Sequence, residues 1–101
     1  MKHQMKPTNK QLQELKAAAH HLDPLIQIGR NGLTPEQIQR INSALTHHEL
    51  VKIRYNDYKN QKETISREIT EKTDSHRVDL IGHTLIIYRQ NPDKAQRKYI
   101  L

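Results

Sequence analysis

Apolar residues fall at helical spacing in three stretches of the chain and alternate or cluster as strands in four shorter ones. From Asn9 to His21 the helical positions Leu12, Leu15 and Ala19, continued by Leu22, form one oily face on a polar segment. Thr8 or Asn9 can cap its start, and Asp23-Pro24 is expected to end it, because proline disfavours helix at the residue before it. Leu25 to Ile28 is too short for a helix and predicts a buried strand. A second helix carries several start signals together. Thr34 can cap, Pro35 suits the first helical position, and Gln37 completes a capping box. Ile38, Ile41 and Leu45 then mark its buried stripe, and His47 and His48 fall in the last turn, where positive charge is tolerated. Leu50 to Tyr55 alternates, with Val51, Ile53 and Tyr55 on one side and Lys52 and Arg54 on the other. Asn56 to Asn60 is turn-like. Gln61 to Thr73 predicts a third helix anchored by Ile65 and Ile69. Arg77 to Ile81 and Thr84 to Arg89 are strands joined by Gly82-His83, a tight hairpin turn whose first position can require φ > 0.

The order is α-β-α-β-α-β-β, which places the chain in the α/β (α+β) class. Two strand–helix–strand units favour parallel pairing through right-handed crossovers, and the final hairpin adds an antiparallel pair. A four-stranded mixed sheet packed by three helices follows. Residues 1–7 are expected as a flexible basic lead-in, 8–92 as the domain, and 93–101 as a basic extension with Tyr99-Ile100-Leu101 available to fold back. There is no internal repeat and no low-complexity segment.

Composition narrows what such a domain can do. Leu, Ile and Val supply 23 of 101 residues, with no Phe or Trp, so the core is modest. The absence of cysteine excludes disulfides and thiolate metal sites. The N-terminal stretch lacks the apolar centre of a signal peptide, and the longest apolar run, Leu85-Ile86-Ile87-Tyr88, falls far short of the roughly 20 residues a membrane helix needs. A soluble, cytoplasmic protein is expected. Lys and Arg number 17 against 11 Asp and Glu, giving +6 and a pI near 9.7. The excess is spread out, with 6 basic and 4 acidic residues in 1–49 and 11 and 7 in 50–101. A polyanionic partner, most often nucleic acid, suits that balance, although a merely soluble basic protein would show it too.

The candidate chemistry lies in "LIQIGRNGLTPEQIQRI", residues 25–41, where two of the chain's three glycines flank an arginine. A strand running into Gly29-Arg30-Asn31-Gly32 and then a capped helix presents free backbone N–H groups at the positive end of the helix dipole. Glycine lets a sugar-phosphate chain approach the backbone closely, and Arg30 can add a charged fork for phosphate. KH modules use such a GXXG loop to clamp a nucleic-acid backbone. Two glycines after a strand also serve simply to make a turn, with Arg30 merely solvated. The loop is neither a dinucleotide fingerprint nor a P-loop, since the third glycine and the Gly-Lys-Ser/Thr ending are missing. An acidic substitution at Gly32 is the natural probe of the loop.

Other constellations are weaker. The pairs His20-His21 and His47-His48 point about 100° apart on a helix and do not chelate together, so no metal site or other cofactor is expected. On a nucleic-acid face, protonated histidines would strengthen binding below about pH 6.5. Ser43, Ser66 and Ser75 sit in no nucleophile elbow, and the carboxylates, Glu49 beside the histidines included, lie scattered as on solvated faces, so an enzyme is not expected. The aromatics are Tyr55, Tyr58, Tyr88 and Tyr99. Tyr55 and Tyr88 suit a core better than a stacking platform. With a nucleic-acid partner, affinity would then come mainly from phosphates and recognition from the shape of the strand.

The runs "LKAAAHHLDPLIQIGRNGLT", "INSALTHHELVKIR" and "VDLIGHTLIIYR" resemble the CRM domain (chloroplast RNA splicing and ribosome maturation), most of all its stand-alone bacterial YhbY-like members. The resemblance spans roughly residues 8–92 and keeps the parts in order. It implies a non-catalytic RNA-binding domain similar in fold to the C-terminal domain of translation initiation factor three. Single-domain bacterial members are associated with maturing large ribosomal subunits and plant relatives with intron splicing, so ribosomal RNA is the implied partner. Carried over, Gly29, Arg30, Asn31 and Gly32 would clamp RNA, with Lys10 and Lys16 on the first helix and Lys52 and Arg54 on the second strand extending the surface. Asp23 departs from the family, where a basic residue is common, and argues against an RNA contact at the first helix's exit. A KH-like binder of small or messenger RNA, and a protein-interaction module with a basic face, are the alternatives.

Overall fold

The computed structural model describes residues 6–56, 61–99 and 101. Its elements are α1 (Asn9–Ala19), β1 (Ile26–Ile28), α2 (Pro35–His48), β2 (Leu50–Tyr55), α3 (Lys62–Thr73), β3 (His76–Ile81), β4 (Thr84–Tyr88) and a 3₁₀ turn, η1 (Lys94–Gln96). The turn expected over 56–60 lies, apart from Asn56, outside the described residues, as do Tyr58 and most of the lead-in.

Local signals set the helix starts. Thr8 and Thr34 each close a capping box, with Gln11 and Gln37 as the reciprocal partners. The end of α1 is different from the expectation. It loosens at His20 and His21 into short-range turn bonds before Pro24 is reached, so proline acts on chain that has already left the helix. The prediction of a buried strand over Leu25–Ile28 is also corrected. Only Ile26 and Ile28 are buried, Gln27 is exposed, and Leu25 lies outside the strand with 52% of its surface open. The reason is position: β1 is an edge strand, and the second core cluster, built on α1, includes none of its residues.

The sheet order is β1-β2-β4-β3. β1 pairs parallel with β2, while β4 pairs antiparallel with both β2 and β3. The first strand–helix–strand unit therefore closes as predicted, whereas the second is split: β2 and β3 run in the same direction with β4 inserted between them. A register shift between Arg77 and Asp79 marks a bulge, which leaves Val78 in the α1-side core and turns Asp79 to an ion pair with Lys16 (3.6 Å).

Helices cover both sheet faces, and strand alternation sorts the core between them. Ile26, Ile28, Val51, Ile53, Tyr55, Leu85 and Ile87 meet Ile41 and Leu45 of α2 and Ile65 and Ile69 of α3. On the other face, Leu50, Val78, Ile86 and Tyr88 meet Leu15 and Ala19 of α1, with Tyr99 and Leu101 packed alongside. Tyr55 and Tyr88 are core residues, as expected, and the Tyr55 hydroxyl shares a 2.7 Å hydrogen bond with buried Ser66. No helix among the described residues is long and apolar enough to cross a membrane.

The C-terminal segment is held by two charged groups. Glu49, just after α2, is 1% exposed and sits at φ 65. Its carboxylate accepts 2.6 Å hydrogen bonds from the amides of Asn91 and Lys98. Arg89 donates to Asn42 Oδ1 (2.8 Å) and Thr73 O (2.7 Å) through one nitrogen, and to Asn42 O and Thr46 Oγ1 (both 3.0 Å) through the other. It thus ties the ends of α2 and α3 together. Burial pulls its guanidinium below its ordinary range, and the Asp74 carboxylate partly offsets that. Glu49 corrects the view of carboxylates scattered on solvated faces.

Candidate nucleic-acid interface

The loop between β1 and α2 has a pinned base and a bare tip. At the base, Asn56 N–H donates to Ile28 O (2.8 Å), and the Asn56 amide donates to Gln27 Oε1 (3.0 Å). Gln37 Nε2 donates to Gln27 O (3.0 Å) while its Oε1 accepts from Thr34 N (3.4 Å), fastening the helix start to the strand end. The tip makes one internal bond, Gly32 N–H to Gly29 O (3.0 Å), and the amides of Arg30, Asn31 and Leu33 engage no partner among the described residues. Backbone donors near the positive end of α2 are thus left without a partner among the described residues, an arrangement suited to anionic oxygen.

The two glycines are there for different reasons. Gly32 sits at φ 68, where glycine is favoured, so the turn itself explains it. Gly29 lies outside that region, and a Cβ built on it would meet nothing within 4 Å. Nothing within the domain requires glycine at 29; its effect is a bare backbone facing open space. Gly29 is therefore a cleaner probe than Gly32, where any side chain also strains the turn.

Around the tip, Gly29, Arg30, Asn31, Gly32, Gln37 and Arg40 line a depression of about 310 Å³, with Glu36 as its carboxylate. Arg30 and Asn31 are exposed, and no ion pair holds Arg30 among the described residues. The four basic residues named from the resemblance lie elsewhere. Arg54 is nearest in register: it is exposed on β2, opposite Gln27 of β1 and Thr84 of β4. Lys52, two residues back on the same sheet face, donates to Leu22 O (2.9 Å) at the exit of α1. Lys16 is ion-paired to Asp79 and shares a second depression, about 270 Å³, with Lys52, His20 and Thr84. Lys10, in the first turn of α1, lines neither depression. The structure thus separates the loop from the lysines and leaves Arg54 between them.

Arg40 was not singled out in the sequence, and Gln37 only as part of the helix cap. A signal for Arg40 was available: it follows Glu36 by four residues on one face of a helix whose first turn adjoins the loop. Among the described residues, no three His, Asp or Glu side chains are grouped to hold a metal ion, and the rings of His20 and His21 stand 6.4 Å apart.

Comparison with known proteins bears on this geometry. Residues 8–89 match the family model of the CRS1 / YhbY (CRM) domain. The chain belongs to that family. A CRM-domain relative from Haemophilus influenzae, named as an RNA-binding protein, is 39% identical over 87 residues, spanning 85% of this chain and 88% of that one. The Bacillus subtilis protein YqeI, named as a probable RNA-binding protein, is 30% identical over 90 residues, spanning 88% and 94%. The solution structure of the hypothetical protein SAV1595 from Staphylococcus aureus matches with a TM-score of 0.76 and 31% identity, covering 94% of this chain and all of that one. The CRM fold is thus shared over nearly the whole domain.

Proposed function

We propose that this CRM domain is a non-catalytic RNA-binding protein acting on ribosomal RNA in precursors of the large ribosomal subunit, in the cytoplasm. The names of its relatives support the RNA partner, and the family resemblance supports the ribosomal one. The observation that carries the reading is the open space in front of Gly29, beside loop amides and an Arg30 side chain that engage no partner among the described residues. Phosphate oxygens would accept from those amides, Arg30 would fork onto a phosphate, and Arg54 would extend the grip onto the sheet face, with Lys52, Lys16 and Lys10 farther out.

Gly29→Asp tests it. The substitution places a carboxylate where phosphate would sit, in a backbone conformation that tolerates a side chain, so RNA affinity should collapse while the melting temperature holds. Unchanged affinity in the folded variant removes the loop from the mechanism. The salt dependence gives a second check. At about 0.7 per phosphate on single strands, five engaged side chains give a log–log slope near −3.5, and the existing partners of Lys16 and Lys52 make it shallower. RNase-sensitive sedimentation with large-subunit precursors, and crosslinks to their RNA, would establish the ribosomal target; crosslinks to small or messenger RNAs instead would remove it.

A further inference from the structure

The depression at the loop does not stop there. Arg40 also lines a shallower one of about 300 Å³, formed with Leu25, Ile26, Ser43, His47 and His48 along the outer edge of β1. Arg40 is the side chain that the two share. Arg40, Ser43 and His47 recur at helical spacing, on one stripe of α2 beside an edge strand that carries no further strand. Arg40, His47 and His48 are the titratable side chains lining this stretch. Glu36 is the carboxylate at the loop end, and Asp23 enters only in the adjoining cleft beyond His48 and Leu25. No ion pair engages Arg40 among the described residues.

His47 is held in a defined way. Its Nδ1 lies 2.7 Å from Ser43 O, and a carbonyl can only accept, so Nδ1 carries the proton in this contact. In the neutral imidazole this leaves Nε2 as a hydrogen-bond acceptor. A phosphate has no proton to give it; a ribose 2′-hydroxyl does, and that hydroxyl distinguishes RNA from DNA. Leu25, 52% exposed in the same groove, adds apolar surface for a sugar or base.

We infer that single-stranded RNA gripped at the loop continues along this groove, with Arg40 taking a phosphate and His47 Nε2 accepting from a ribose 2′-hydroxyl. The inference rests on the RNA-binding reading of the loop and names a second flank, distinct from the Arg54 side. Eight residues of helix separate Arg40 from His48, about 12 Å. At about 3.4 Å per nucleotide of a stacked strand, the groove takes three or four nucleotides beyond the loop.

Fluorescence anisotropy with a ten-nucleotide oligouridylate and the matching oligodeoxyuridylate separates the possibilities. Arg40→Glu should weaken both ligands about tenfold and reduce the salt slope by about 0.7, the share of one phosphate. His47→Ala should weaken RNA about fivefold, the worth of one hydrogen bond, and leave DNA unchanged, so the preference for RNA shrinks. Should Arg40→Glu lower the melting temperature, Arg40→Gln provides the same comparison with the charge removed. Normal binding of both ligands by the Arg40 and His47 variants, with binding lost in Gly29→Asp, overturns the groove and leaves the loop standing. Normal binding by Gly29→Asp as well overturns both.

Discussion

The two ends of α2 treat the same backbone problem in opposite ways. Every helix leaves donors unsatisfied at its start and acceptors at its end. At the start of α2 the capping box satisfies the amides of Thr34 and Gln37, but those of Arg30, Asn31 and Leu33 just before it have no partner among the described residues. At the end, the structure spends its charged side chains on closure. Leu45 O accepts from Glu49 N–H (2.8 Å) and Glu49 O from Arg89 N–H (2.9 Å), Arg89 adds side-chain bonds to Asn42 and Thr46, and the buried Glu49 carboxylate turns back to hold the amides of Asn91 and Lys98. Arg30 and Arg89 carry the same guanidinium to opposite ends. Arg89 donates to four protein acceptors, while Arg30 has none among the described residues. The difference shows that charge alone does not mark a binding site; what marks it is charge whose hydrogen bonds the fold leaves unused.

That contrast can be broken experimentally. The largest effect is expected at the closed end. Arg89→Ala strands several acceptors at the ends of two helices and should cost about 3–4 kcal/mol in urea unfolding, with RNA affinity unchanged below the transition. Reduced affinity in the folded variant would show that the ends are not independent. A somewhat smaller effect is expected from alkali. Burial first, and then the Glu49 carboxylate, push the Tyr88 phenol up to about 12. The fold therefore favours the neutral phenol. Its contribution is complete below the ordinary value near 10 and is lost as pH rises through about 12, some 2–3 kcal/mol in all. Tyrosinate absorbance and urea unfolding followed over that range should move together; a Tyr88 that ionises without loss of stability would contradict its burial.

At the open end, Arg30→Ala should weaken RNA binding by about 2 kcal/mol, as for one charge-assisted contact, and leave unfolding untouched. A loss of stability there would make Arg30 a structural residue like Arg89. The smallest effect is expected from Gly32→Ala. A left-handed alanine costs about 1 kcal/mol of stability, and the loop keeps its open face at Gly29, so binding should change little. If Gly32→Ala abolishes binding without loss of stability, the division of labour between the two glycines is wrong.

Much of the fold was legible because its signals are local. The Thr34-Pro35-Glu36-Gln37 start, the alternation of Leu50 to Tyr55 and the Gly82 turn, observed at φ 57, each specify their conformation within a few residues. Leu25 misled because an apolar residue beside a strand looks buried until the sheet's edge is known. The family followed from runs spanning the chain, and the loop from its spacing. The surface around the loop was less visible. Lys16, Lys52 and Arg54 were carried over from the family resemblance, whereas Asp79 and the Leu22 carbonyl already engage the two lysines. Arg40 joins the loop only because the helix start is fastened to the strand end through Gln37.

By itself the sequence determined the elements, their order, the two-faced character of β2 and the identity of the loop. These depend on interactions within a few residues or on a pattern repeated along one element. Only the tertiary structure decided that β4 enters between β2 and β3, that Glu49 is a buried anchor and Arg89 a brace, and that Gly29 is spare for the fold. Each of those depends on what lies beside a residue in space but distant in the chain, some 40 residues away for Glu49 and Arg89. A charged side chain has the same local appearance whether water or the protein completes its hydrogen bonds, and only the packed chain tells the two apart.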